Sequence, residues 1–255
     1  MKKPTLWLLL LLVVSQLDLG AQAASARKRI LFLTLSEGFK HAVIPFAIET
    51  LQKLAAQEKD FEVTASEDVS LLRADSLKNF DLVLFYTTGE LPMTDVEKQD
   101  LMKWVRSGKG FAGVHSATDT FYQWPEYGEM IGGYFDGHPW TATSDPVTVK
   151  VDDTSHVATR HLGSSFQIQD EIYQYKNYSR DRVHVLMSLD TARTDMTKRG
   201  IKRTDGDFAL AWVRQWGKGR VFYTALGHRP EVWSDPRFQT HLLNGLRWAM
   251  GVVPK

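Results

Sequence analysis

A chain of 255 residues with 31 basic and 30 acidic side chains has a formal charge of only +1, which gives it no electrostatic claim on nucleic acid. The absence of cysteine excludes disulfides, a thiolate nucleophile and a cysteine-linked lipid. With 43% hydrophobic and 24% charged residues, the composition is that of a globular protein with a sizeable core, most simply one large domain.

At the N-terminus, Lys2 and Lys3 precede an apolar run from Leu6 to Val14, and Ala21-Gln22-Ala23 has the small-x-small form of a cleavage site. The run is short for a membrane span, although an uncleaved anchor is the alternative reading. Residues 1–23 are therefore expected to be a signal peptide and residues 24–255 the mature domain, exported to the periplasm or outside the cell. Losing Lys2, Lys3 and Asp18 leaves 29 basic against 29 acidic residues, so the mature chain is neutral.

Arg29–Leu35 is an unbroken apolar run and predicts a strand buried on both faces. After a polar loop at 36–41, Ile44, Ile48, Leu51 and Ala55 recur at helical spacing. Phe61–Ala65 and Phe80–Tyr86 read as further strands. Thr94-Asp-Val-Glu97 is a capping box opening a helix that carries Leu101, Trp104 and Val105 on one face and ends at Gly108. The β-α-β-β-α-β rhythm predicts an α/β fold with a doubly wound parallel sheet. Its site should lie beyond the carboxyl ends of the strands, at loops 36–41, 87–93 and the turn after the next strand.

That strand and turn, Lys109-Gly-Phe-Ala-Gly-Val-His-Ser-Ala-Thr-Asp119, place Gly113 and Ala117 at minus two and plus two from His115. This is the spacing of a nucleophile elbow, whose sharp strand-to-helix turn admits only small neighbours. The apex is an imidazole, a ligand or proton carrier, expected on an exposed turn where it adds little to core packing. Ser116 fits the pattern less well, because Val114 and Thr118 are its neighbours at minus two and plus two. Asp119 could orient an imidazole or simply favour the start of the elbow helix. Farther on, Pro146–Val151, Phe166–Gln174 and Val183–Leu189 read as antiparallel strands. Phe208–Arg214 and Arg220–Thr224 flank a hairpin turn, and Asp235-Pro-Arg opens a last helix with Phe238, Leu242 and Ala249 inward.

His41, His115, His138 and His228 each follow a strand or a glycine-rich turn, and histidines converging there are raw material for a zinc-type divalent site. Their spacing is dispersed, so ordinary loop and capping roles stay open for each. His156, His161, His184 and His241 read as structural or surface residues. Asp170 and Glu171 are adjacent in an extended segment, so only one can face a pocket; an exposed strand end is the competing reading. Glu171 is the candidate base or fourth ligand. Trp124, Trp140 and Trp233 cluster near the candidate loops, where an indole can stack on a sugar ring or fill the core.

Taken together, Gly113-Val-His-Ser-Ala-Thr-Asp119, Trp124-Pro-Glu-Tyr127, Gly132-Gly-Tyr-Phe-Asp-Gly-His-Pro139, Asp170-Glu-Ile-Tyr173 and Gly219–His228 resemble the ThuA-like (trehalose utilisation) family over about residues 28–251. The resemblance implies a flavodoxin-like sheet of the class I glutamine amidotransferase type with an antiparallel β insertion. His115 takes the place of the cysteine nucleophile, so glutamine hydrolysis is not expected. His228-Arg-Pro-Glu231 resembles the His-x-Glu end of the amidotransferase triad, shifted by one residue. The resemblance also implies a sugar substrate, in particular a glucoside oxidised at C3 by a partner sugar 3-dehydrogenase. His115, Glu171 and His228 are then the catalytic candidates, Trp124, Trp140 and Tyr173 the substrate-binding ones, and His41, His115, His138 and His228 the metal ligands. No nucleotide cofactor is expected. A lyase, hydrolase or isomerase acting on 3-keto-sugars and a noncatalytic sugar-binding or scaffold protein are the two functional readings. Convergence of His115, His228 and Glu171 would favour the first.

Overall fold

The computed structural model describes residues 27–252, so the expected signal peptide lies outside the described residues. The first apolar run forms β1 (Lys28–Leu33), with Ile30 to Leu33 fully buried. It is followed by α1 (Ile44–Glu58), β2 (Phe61–Ser66), the short α2 (Ala74–Leu77), β3 (Leu82–Phe85), α3 (Asp95–Arg106) and β4 (Gly110–Val114). In α1 the buried stripe is Ile44, Ala47, Leu51 and Ala55, with Ile48 only half-buried beside it. The capping box of α3 is formed: Thr94 Oγ1 accepts from the Glu97 backbone N–H, and Glu97 Oε2 accepts from that of Thr94 at 2.8 Å. Leu101, Met102 and Val105 face the core, while Trp104 lies at the edge of that face.

Beyond β4 come α4 (Pro125–Ile131), β5 (Tyr134–Phe135), β6 (Val147–Val151), β7 (Ser165–Ile168), β8 (Tyr175–Lys176), β9 (His184–Leu189), β10 (Ala209–Trp216), β11 (Gly219–Thr224), α5 (Pro230–Ser234) and α6 (Pro236–Ala249). One nine-stranded sheet runs β2-β1-β3-β4-β11-β10-β9-β6-β7. The first five of these strands are parallel, the doubly wound half. The remaining four pair antiparallel and prolong that half beyond β11. Much of the chain between β4 and β10 is thus inserted in sequence yet continues the same sheet. The expected strand Phe166–Gln174 is shorter: regular pairing stops at Ile168, because Asp170 and Glu171 are drawn into side-chain bonds described below. Pairing of Trp216 with Gly219 leaves a two-residue hairpin loop, with Gly217 at φ +61°.

α6 packs across β11 and β4. It approaches so closely at Gly245 that a Cβ there would stand 2.3 Å from the Phe222 ring. Asp235 caps α6, its carboxylate accepting from the Arg237 N–H at 2.8 Å. His241, on the inner face of α6, is 1% exposed and its Nδ1 donates to the Ala158 carbonyl at 2.8 Å. Burial pushes its pKa down to about 4, against the opposing effect of the Ala158 bond. The unfolded chain, with histidine near 6.5, binds the proton first, so stability is full above pH 6.5 and falls as pH drops toward 4. At ~1.4 kcal/mol per pH unit the loss over that window is about 3 kcal/mol. Urea unfolding at pH 6.5 and 4.5 should show this limb in the native chain and a flatter one in His241→Gln. Among the described residues, no helix is long and apolar enough to cross a membrane.

Candidate active site

The loops at the carboxyl ends of β1, β4 and β11 meet in space, and the segment between β7 and β8 closes over them. His115 is the first residue after β4 and the start of a 3₁₀ turn, His115–Thr118, in place of the expected elbow helix. Its φ is +46°, a left-handed conformation costly for a residue with a Cβ. Neighbouring small residues permit the turn: a Cβ on Gly113 would lie 2.8 Å from that of Ala117. The expectation of an exposed imidazole fails, because His115 is wholly buried. Its carbonyl accepts from Tyr223 Oη at 2.7 Å, and its Nδ1 donates to the Ala225 carbonyl at 2.7 Å. That bond fixes the tautomer and leaves the Nε2 lone pair free in the neutral ring.

Three groups converge on this Nε2. Tyr173 Oη lies 2.9 Å away, His228 Nδ1 3.1 Å and Glu171 Oε2 3.5 Å. His228 Nδ1 is in turn 3.2 Å from Glu171 Oε2. His41 completes the group, its ring centroid 4.9 Å from that of His115 and 5.2 Å from that of His228. It is buried, with an Nδ1 that has no hydrogen-bond partner among the described residues.

Glu171 reaches the histidines because its neighbour is fastened elsewhere. Asp170, buried and pointing the other way, accepts from the Gly227 N–H at 2.6 Å and the Arg229 N–H at 3.2 Å. It pins the segment between β7 and β8 to the loop that carries His228. Only one of the two carboxylates faces the cluster, as the alternation rule required, but neither is an exposed strand end.

The electrostatics follow from burial and crowding. Burial, then the charges of His115 and His228, push the His41 pKa down to about 3, so its ring is neutral at pH 7. Burial alone would raise the Glu171 carboxyl; the neighbouring imidazoles of His115 and His228 outweigh that and hold it well below the usual carboxylate range. The bond to Glu171 raises His228, with burial opposing. Burial pushes the Tyr173 phenol well above its ordinary value, so it stays protonated and donates to His115.

One ligand atom from each of His41, His115, Glu171 and His228 falls within 4.8 Å of all the others, and this set could hold a metal ion. The donor set fits. Three of the atoms are 3.1–3.5 Å apart, and tetrahedral zinc with bonds of 2.0–2.1 Å needs ligand separations of about 3.3 Å. Imidazole nitrogens and one carboxylate are zinc-type donors, and the unpartnered His41 nitrogen is a buried polar atom lacking a bond.

Other expected residues are placed differently. His138 stands outside the four, 43% exposed, with Nδ1 3.3 Å from Glu171 Oε1, the oxygen turned away from the cluster. Tyr173 adjoins the site as a buried hydrogen-bond donor, its ring centroid 4.5 Å from that of His115. Trp140 is 1% exposed, donates to the Asp195 carbonyl and packs edge-on to Phe208, so its faces are closed to a ligand. Trp124 packs on Phe121 and Tyr127 beneath Lys98. Trp233 is a core residue against Tyr86. Glu231 points into solvent and pairs with Arg229, so the carboxylate partner of His228 is Glu171, not the triad-like Glu231. Asp119 accepts from Tyr122 Oη at 2.6 Å and holds no imidazole. Ser116 is fully buried. Sequence reasoning missed Tyr86, which borders His41 and His115 and donates to the Gly227 carbonyl at 2.9 Å. Its place at the end of the β3 apolar run was the available signal.

A parallel sheet with an elbow at the end of a central strand defines a flavodoxin-like α/β protein of the glutamine amidotransferase-like class. The trehalose-utilisation (ThuA) family profile matches residues 29–249, and the chain belongs to that family. A ThuA-like protein from Bacteroides uniformis is 26% identical, with a TM-score of 0.75 over 90% of this chain and 94% of its own. One from Parabacteroides merdae is 18% identical, with a TM-score of 0.68 over 90% and 92%. A β-galactosidase from Bacillus circulans sp. alkalophilus is similar in fold at 11% identity, with a TM-score of 0.54 over 89% of this chain and 32% of its own. No curated protein matches the sequence.

Proposed function

We propose that the protein is an exported enzyme of carbohydrate metabolism that acts on 3-keto-glucosides, removing the C2 proton and expelling the C1 substituent. The observation carrying this reading is the convergence of His115, His228 and Glu171 within 3.5 Å in a family tied to trehalose use. A scaffold or sugar-binding surface needs no such buried set of ionisable side chains.

A divalent cation held by His41, His115, Glu171 and His228 would supply Lewis-acid polarisation of the C3 carbonyl. Both Glu171 oxygens are engaged, one in the cluster and one by His138, so the half-exposed imidazole of His138 is the better base than Glu171 itself. Its Nδ1 lies 3.3 Å from Glu171 Oε1, and its Nε2 would take the C2 proton. The C2–H electrons form the C2=C3 bond of an enolate. Its collapse restores the C3 carbonyl, makes C1=C2 and breaks the bond from C1 to its substituent, which departs and is protonated. Water added afterwards at C1 would make the net reaction a hydrolysis. The 3-keto group must come from a dehydrogenase that oxidises C3 of a glucoside.

The test is incubation of the purified protein with a 3-keto-glucoside in deuterated water, with metal analysis of the same sample. Deuterium at C2, release of the C1 alcohol and about one divalent ion per chain are expected. Metal-loaded protein that neither exchanges C2 nor releases the alcohol would move it to the sugar-binding class.

A further inference from the structure

Phe39 is a large apolar side chain left 67% exposed, and its ring meets that of His41 edge-on at 4.9 Å. A lone exposed phenylalanine is unremarkable on a surface. This one is held there. Its carbonyl accepts from Thr88 Oγ1 at 2.9 Å, and the N–H groups of Glu37 and Gly38 donate to the Thr88 carbonyl at 2.9 and 3.3 Å. The loops after β1 and β3 lie so close that a Cβ on Gly89 would stand 2.7 Å from the Gly38 nitrogen. These contacts hold the backbone on either side of Phe39 in place, with its ring on the outside. Across the site, Phe135 stacks on His138 at 5.8 Å and packs against Tyr173 at 4.4 Å. Aromatic rings thus stand beside His41 and beside His138, while Trp124 and Trp140 are closed inside the core.

We infer that Phe39 is the stacking platform for the substrate, which is a pyranoside ring lying with a C–H face on the phenyl group while its C2–C3 edge meets the histidines. A pyranose face with equatorial hydroxyls is apolar and matches an aromatic face; the hydroxyl edges stay in water. The inference deepens the proposed reaction and rests on it for the orientation of the ring. Recognition from a rigid, exposed platform favours glycosides whose second unit extends into solvent, because only one ring is gripped.

Kinetics with a 3-keto-glucoside, and saturation-transfer NMR titration with unreactive methyl glucoside, test it on the native chain, Phe39→Ala and Phe39→Tyr. In Phe39→Ala, KM should rise roughly 2- to 12-fold with a smaller change in kcat, metal content and thermal unfolding should hold, and Phe39→Tyr should restore KM. If the native chain turns over and Phe39→Ala keeps its KM, the platform is wrong and the reaction stands. Should the native chain turn over no 3-keto-glucoside, the reaction fails and the titration decides the platform. Weaker binding of methyl glucoside by Phe39→Ala supports it; equal or absent binding overturns it. If Phe39→Ala unfolds, Phe39→Leu, apolar but not aromatic, carries the same readout.

Discussion

His115→Ala is expected to lose the divalent ion and to lower C2 exchange by at least the ~10²–10⁴-fold that one acid–base group contributes. The reason lies in the tautomer. The Ala225 carbonyl fixes the proton on Nδ1, so Nε2 is the shared neighbour of Tyr173, His228 and Glu171. Removing the ring breaks all three relations at once and leaves Glu171 with His228 and His138. The variant also loses a wholly buried side chain, so its melting temperature should fall as well, which an exposed imidazole would not cause. His115→Gly separates the two effects. It deletes the same ring but relieves the φ of +46°, a strain of ~1–2 kcal/mol for a residue with a Cβ. Its melting temperature should be no lower than that of His115→Ala, despite the greater freedom of glycine in the unfolded chain, while both remain inactive. A glycine variant that binds metal and exchanges C2 would remove His115 from the site.

Glu171→Gln should be the second severe variant. It replaces the single anion of the cluster with an amide of the same shape, leaving neutral imidazoles to hold a divalent charge and only one oxygen where the carboxylate had two. Metal retention after dialysis should be lost and C2 exchange should fall by ~10²-fold or more. The metal-free proteins give an independent reading from pH. Because the folded-state pKa of Glu171 is depressed, its contribution to stability is complete above the unfolded carboxyl value near 4.3 and disappears as pH falls through the lower folded value. His228 has the opposite sign: its raised pKa stabilises below about 6.5 and that contribution goes as pH rises through the folded value. Glu171→Gln should flatten both limbs. Urea unfolding at pH 3, 5 and 8 with chelator present measures this, and an unchanged profile would show that the pair is not coupled.

The sheet and the elbow were legible in sequence because each depends on local rules. Unbroken apolar runs fix buried strands, the capping box fixes the start of α3, and small residues two positions either side of His115 fix a turn that tolerates nothing larger. His41 and His228 were legible because strand ends converge in a parallel sheet whatever the loops contain. Glu171 was half legible: alternation said that one of two carboxylates could face the site, but the choice is made by Asp170 bonding to Gly227 and Arg229, far away in sequence. The indoles misled because a tryptophan's composition does not say whether its face is covered, and Phe208 and Tyr127 cover Trp140 and Trp124. The triad-like Glu231 misled because short motifs carry no depth, and the start of α5 turns it outward. Phe39, in a polar loop, carried no signal, and Tyr86 only its place at the end of an apolar run.

The position of β11 has a consequence for synthesis. This strand is the last to leave the ribosome, yet it sits near the middle of the sheet, between β4 and β10. Until it emerges, a nascent chain holds two half-sheets, each with an open edge of unpaired backbone groups. A chain stopped before Gly219 would be a candidate for aggregation rather than a smaller working protein. His228 follows that strand closely, so the last member of the cluster arrives with the segment that joins the halves. The four-residue cluster is thus assembled only once the two halves of the sheet have joined.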